Sequence, residues 1–175
     1  MARPEKNGPR LDIQASVEEG NWQDEAALEA FSTRILEHAA GYLATREGQP
    51  FGPAPIEVSL VFTDDASIRE INSEWRAQDK PTNVLSFPAF PLEPGGKPGP
   101  MLGDIVLARE TIEREAADLG KPVEEHLTHL LVHGFLHLFG YDHMDAEEAE
   151  EMEGLETRIL AELGISDPYA GQEPV

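Results

Sequence analysis

From Pro122 to Phe139 the chain carries Leu127, Leu130, Leu131, Val132, Phe135, Leu136, Leu138 and Phe139, enough to surround almost the whole circumference of one helix. Such a helix must be covered on most sides, so it belongs at the centre of a fold. One narrow stripe breaks the pattern: His126, His129, His133 and His137 recur at helical spacing. Burying unpaired imidazoles costs free energy, so the stripe lines a cleft or a metal site rather than packed core.

His133 and His137 are four residues apart, so they project from one helical face with ring nitrogens able to converge on one point. Gly140 can take the left-handed conformation, end the helix and return His143 to that point. Three protein ligands leave a fourth tetrahedral position open for water, which distinguishes catalytic from structural zinc. The chain has no cysteine, so zinc would rest on imidazole or carboxylate. His133, His137 and His143 are the expected ligands of one Zn2+ ion, and a metal-dependent hydrolase is the expected class. His126 and His129 read as supporting partners, general acids or solvated residues.

The 175 residues suit one domain spanning 1–175, with an ordered core over 11–163 and flexible termini over 1–10 and 164–175. No apolar stretch is long enough to cross a bilayer, Met1 to Lys6 lack a secretory pattern, and cysteine is absent. A cytoplasmic protein with no membrane partner is expected. A net charge of −21 repels nucleic acid on average, so a polyanion would need a local cationic patch. Arg69, Arg76, Lys80 and Lys97 are the mid-chain candidates. The acidic run Asp145, Glu147, Glu148, Glu150, Glu151, Glu153 and Glu156 reads as a solvated helical face.

Period-two alternation predicts strands at Leu11–Val17 and Ile56–Phe62, with further strands at Val84–Phe87 and Leu102–Leu107. Pro88 cuts the third short or confines it to an edge. Helices are expected over Trp22–Ala44, from Asp64 or Asp65 to Trp75, and over Arg109–Leu119, Pro122–Phe139 and Asp145–Leu163. Pro91–Pro100 reads as an exposed, mobile loop. This order gives an α+β fold: a small mixed sheet of about four strands packed with about five helices, with the zinc site at the end of the buried central helix.

The spacing His-x-x-x-His-x-x-Gly-x-x-His coincides with that of metzincin peptidases, in which a glutamate follows the first histidine and takes a proton from water. Gly134 holds that place here, which disfavours an ordinary peptidase. A phosphoryl substrate would need fixed positive charge, and Arg76, ahead of the polar loop Ala77–Thr82, is the best candidate. A surface salt bridge is its competing reading.

The blocks His133–His143, Asn72–Arg76 leading into Lys80–Pro88, and Leu102–Ile105 resemble, in order, the YbeY family of bacterial endoribonucleases, the rRNA maturation factors. The resemblance implies a single-strand-specific, metal-dependent endoribonuclease that matures ribosomal RNA, notably the small-subunit 3′ end, and serves ribosome quality control. It implies zinc on His133, His137 and His143, with Arg76 as the cleft cation. Asn83 departs from the family's frequent aspartate, which favours a structural role there.

The expected chemistry is attack on a phosphodiester by zinc-bound water or by the RNA's own 2′-hydroxyl, with Arg76 stabilising the charged transition state. Ribosomal RNA and a ribosomal subunit or its proteins are the expected partners. Two other readings stand beside it: a ribosome-assembly binding factor with a structural metal, and a hydrolase of peptides or amides.

Overall fold

The computed structural model describes residues 8–169. The chain runs β1 (Leu11–Val17), α1 (Glu25–Arg46), β2 (Ile56–Thr63), α2 (Asp65–Arg76), β3 (Val84–Pro88), β4 (Met101–Ala108), α3 (Arg109–Leu119), α4 (Val123–Leu138) and α5 (Ala146–Glu162). This is the expected α+β domain, one mixed sheet of four strands with five helices. The strand order is β1-β2-β4-β3. β1 and β4 flank β2 in parallel, and β3 pairs antiparallel with β4 at the edge. An edge suits Pro88, which has no amide to offer a second neighbour.

Alternation along the strands divides the apolar residues between two faces. Ile13, Val58, Leu60, Phe62, Ile105 and Leu107 join α1 and α4 in the main core, while Leu85, Val106 and Ala108 meet Ile68 of α2 in a smaller one. A one-residue slip would exchange the two sets, so both cores hold the register. α4 is the central element: it packs on α1, α3, α5, β3 and β4, and Leu131, Phe135, Leu136 and Leu138 have no exposed surface. Each such side chain contributes about 1.5–3 kcal/mol over an exposed one, which anchors the histidine-bearing helix firmly.

Several boundaries differ from expectation. α1 starts at Glu25, where Asp24 accepts from the Ala27 amide at 3.2 Å. Trp22 precedes it and donates its indole N–H to Thr63 O at 2.8 Å while meeting Phe62 edge-on. Its apolar ring fits the helical period without being helical. Pro122 is the N-cap of α4 rather than part of its first turn. The 91–100 loop is exposed over most of its length, as expected, but has three anchors: Pro98 is buried, Leu92 packs on the main core, and Gln49 Nε2 donates to Gly96 O at 2.8 Å.

Of the expected flexible termini, residues 1–7 and 170–175 lie outside the described residues. Within 164–169, Ile165 packs against the main core and Tyr169 reaches the cleft described below. Among the described residues no helix is long and apolar enough to cross a membrane.

Candidate metal centre

The end of α4 is a Schellman turn. Gly140 donates to His137 O at 3.0 Å and Tyr141 donates to Leu136 O at 3.1 Å, with Gly140 at φ 99°. A Cβ on Gly140 would lie 2.2 Å from Leu92 O, so space as well as conformation requires glycine. The reversed chain brings His143 back to the face that carries His133 and His137. One ring nitrogen from each of the three lies within 4.8 Å of the other two.

The donor set fits a cation. Nε2 of His133 and Nε2 of His137 stand 3.1 Å apart, close to the separation of about 3.3 Å for two nitrogens on one tetrahedral zinc. His133 Nδ1 donates to Glu156 Oε2 at 2.7 Å, which leaves the Nε2 lone pair for a ligand role. His137 hydrogen-bonds the Tyr141 backbone, and its Nδ1 lies 4.0 Å from Asp142 Oδ1. Burial, then the neighbouring His133, lowers the His137 imidazole to about 4 against the opposing pull of Asp142. It is therefore neutral near pH 7, the form that ligates.

Glu156 is the residue that sequence reading misplaced. Asp145, Glu147, Glu148, Glu150, Glu151 and Glu153 are exposed as expected, but Glu156 has 0% exposure. It shares the inward face of α5 with Met152 and Ile159, four residues before and three after, and that spacing was the available signal. Its Oε1 accepts from His129 Nε2 at 2.8 Å and from the Tyr169 hydroxyl. Burial raises the Glu156 carboxyl, but hydrogen bonds and charge from His129 and His133 outweigh it and bring it down to about 2. Burial and Glu156 push the Tyr169 phenol up, so it remains a donor.

His126 belongs to a separate network. Its Nε2 is 2.8 Å from Glu115 Oε1, and the same oxygen accepts from Asn83 Nδ2 at 2.9 Å. An aspartate at position 83 would set a second carboxylate against Glu115, whereas the amide donates. Asn83 thus ties the start of β3 to α3 while also lining the cleft described below.

Arg76 closes α2, just before the chain turns through Ala77 at φ 57°. Its Nη2 donates to Ser86 O at 2.8 Å, and its guanidinium carbon lies 5.2 Å from the Phe87 ring centroid. Among the described residues it makes no ion pair, unlike Arg69, which grips Asp79 at 2.8 and 3.2 Å. Arg76, Ser86, His129, His133, His137 and His143 line one cleft of about 760 Å³. Lys80 and Lys97 are not among its lining residues.

Position 134, where a metzincin peptidase carries its glutamate base, has no room here for a long side chain. A Cβ there would lie 3.0 Å from both Ile105 Cγ2 and Ser86 Oγ, so this position faces the sheet. Its carbonyl accepts from Ser86 Oγ at 3.1 Å, which ties α4 to β3.

Fold and site together define an α+β domain with a histidine triad able to hold a metal, beside a guanidinium without an acidic partner among the described residues. Residues 13–164 match the family described as endoribonuclease YbeY, and the chain belongs to that family. It is 73% identical over 166 residues to the endoribonuclease YbeY of Allorhizobium ampelinum, covering 95% of this chain and 99% of the relative. It is 72% identical over 165 residues to that of Agrobacterium fabrum, covering 94% and 98%. The solution structure of a Thermotoga maritima protein shares the fold, with TM-score 0.50 and 24% identity over 90% of this chain and 98% of that one. Family membership supports an endoribonuclease role.

Proposed function

We propose that this chain is a zinc-dependent, single-strand-specific endoribonuclease of the cytoplasm. Its proposed task is maturation of ribosomal RNA, notably the small-subunit 3′ end, together with ribosome quality control. One observation carries the reading: nitrogens of His133, His137 and His143 meet within 4.8 Å in a cleft that Arg76 also lines.

His133, His137 and His143 would hold one zinc ion through one ring nitrogen each, with Glu156 orienting His133. When bound, zinc supplies Lewis acidity toward a phosphoryl oxygen. The remaining work belongs to the chain. Ser86 O and the Phe87 ring hold the Arg76 guanidinium in place, leaving N–H groups free to meet phosphate oxygens in a fork. Fixed positive charge at that point stabilises the negative charge that develops during transfer. Glu156 and Tyr169 keep His133 in a single orientation.

The proposed partners are ribosomal RNA and the ribosomal subunit or its proteins. The net charge of −21 suits basic ribosomal proteins, while Arg76 gives RNA a local cation.

Zinc-replete protein should cut a single-stranded fragment carrying the small-subunit 3′ end and leave the same sequence intact in duplex. Chelation should stop cleavage and added zinc should restore it. A 2′-deoxy substitution at the cut site that leaves the rate intact would exclude attack by the RNA's own 2′-hydroxyl. RNA binding with no cleavage would overturn the enzymatic reading in favour of an assembly factor with a structural metal, and turnover of a peptide library without RNA cleavage would favour a peptide or amide hydrolase.

A further inference from the structure

We propose that Trp75 and Phe87 form a stacking platform for an unpaired nucleobase of the RNA, just outside the cleft at the β3 edge. The proposal rests on the endoribonuclease reading of that cleft. The chain has two tryptophans. Trp22 is packed and hydrogen-bonded, but Trp75 leaves 67% of its surface in solvent although it directly precedes Arg76. Exposure alone singles out no site, since Phe90 and Met144 are exposed too; what sets Trp75 apart is its place beside a second ring and the cleft guanidinium.

The ring is also held in place. Trp75 meets Phe87 edge-on with centroids 6.2 Å apart and an interplanar angle of 64°. The Phe87 ring in turn carries the Arg76 guanidinium, 5.2 Å from its centroid. Indole, phenyl and guanidinium therefore form one strip. Successive side chains of a strand point to opposite faces: Phe87 packs on the α2 side, while Ser86 bonds to Gly134 of α4 on the cleft side. Arg76, bonded to Ser86 O and lining the cleft, joins the two sides around the sheet edge.

Chemistry selects the occupant. A chain of net charge −21 has no general attraction for a polyanion, and Glu70 and Glu74 share α2 with Trp75. Affinity for RNA must then draw on contacts that net charge does not set. Stacking of a base on an aromatic ring is such a contact, and it needs a base splayed out of a helix. Arg76 beside the platform offers a fork to the adjacent phosphate. A strand that presents π-faces and phosphates in alternation matches both parts. The platform would thereby help select single strands over duplex.

The test uses full-length, zinc-loaded protein with a short single-stranded RNA and with the same sequence in a hairpin stem. Single-stranded RNA should quench tryptophan emission in the wild type, and the stem should not. Trp75→Phe should abolish that quenching yet keep KM within about twofold, because a ring remains. Trp75→Ala should raise KM about tenfold, with kcat and zinc content retained. Phe87→Leu, which keeps the small core filled but removes the ring beneath Arg76, should raise KM and lower kcat together, unlike Trp75→Ala. Unchanged KM in Trp75→Ala, in protein whose wild type cleaves RNA, would overturn the platform and leave the endoribonuclease reading standing. Quenching by single strands without any cleavage would support the platform while overturning that reading.

Discussion

Glu156 Oε2 lies 2.7 Å from His133 Nδ1, so a carboxylate on α5 sets the orientation of an imidazole on α4. The triad is thus supported by a helix that supplies none of its three nitrogens. Glu156→Gln removes the charge that holds the Nδ1 proton, and zinc affinity should fall about 10–100-fold. Competition with a chromophoric chelator measures it. Tyr169→Phe, which loses only one donor to Glu156, should cost less.

Metal-free protein should lose stability in two overlapping pH windows. Folding lowers His137 from 6.5 to about 4, so the folded state resists its protonation; that stability is whole above 6.5 and lost as pH falls to 4. Glu156 is lowered from 4.5 to about 2, so its contribution is whole above 4.5 and lost as pH falls to 2. Urea unfolding of chelator-treated protein across this range should show both losses, with the lower one reduced in Glu156→Gln. A flat profile from pH 6.5 to 4 would refute the His137 assignment.

Arg76→Ala should lower kcat about 10²–10³-fold while zinc content stays at the wild-type level. Lysine should recover little of this. A point charge cannot hold Ser86 O, lie over Phe87 and still present a planar fork. Steady-state kinetics with metal analysis on the same preparations decides between this role and a structural one, which would lower zinc as well.

Gly134→Ala should destabilise the fold by about 1–2 kcal/mol net: pushing Ile105 Cγ2 and Ser86 Oγ back from 3.0 Å costs about 1–3 kcal/mol, and alanine returns about 1 kcal/mol in helix propensity. Denaturant unfolding would register it. A neutral result would mean that α4 sits less tightly on the sheet than its contacts show.

Local features of the fold were legible in the sequence because they follow from short-range rules. Period-two alternation located β1 and β2, short apolar runs marked β3 and β4, all-round apolarity placed α4 at the centre, and Gly140 marked the turn that returns His143. Pairing order was not legible, since alternation says which face is buried but not which strand lies alongside. Trp22 extended a helical period it does not belong to, because its ring is held by Thr63 and Phe62, both distant in sequence. Glu156 was hidden for a related reason. Six neighbouring acids set the expectation of a solvated face, and only the arrival of His129, His133 and Tyr169 from other segments makes its burial favourable. The exposure of loop 91–100 was legible from its prolines and glycines, but its anchors were not, because Gln49 and the main core lie outside it.

The most direct measurement is zinc content and RNA cleavage of the wild type beside His137→Ala, on protein shown to be folded. Wild type should hold one zinc per chain and cut single-stranded RNA; His137→Ala should lose most of the metal and the cleavage together. A folded His137→Ala protein that keeps its zinc, or that cuts RNA at the wild-type rate, would contradict the account.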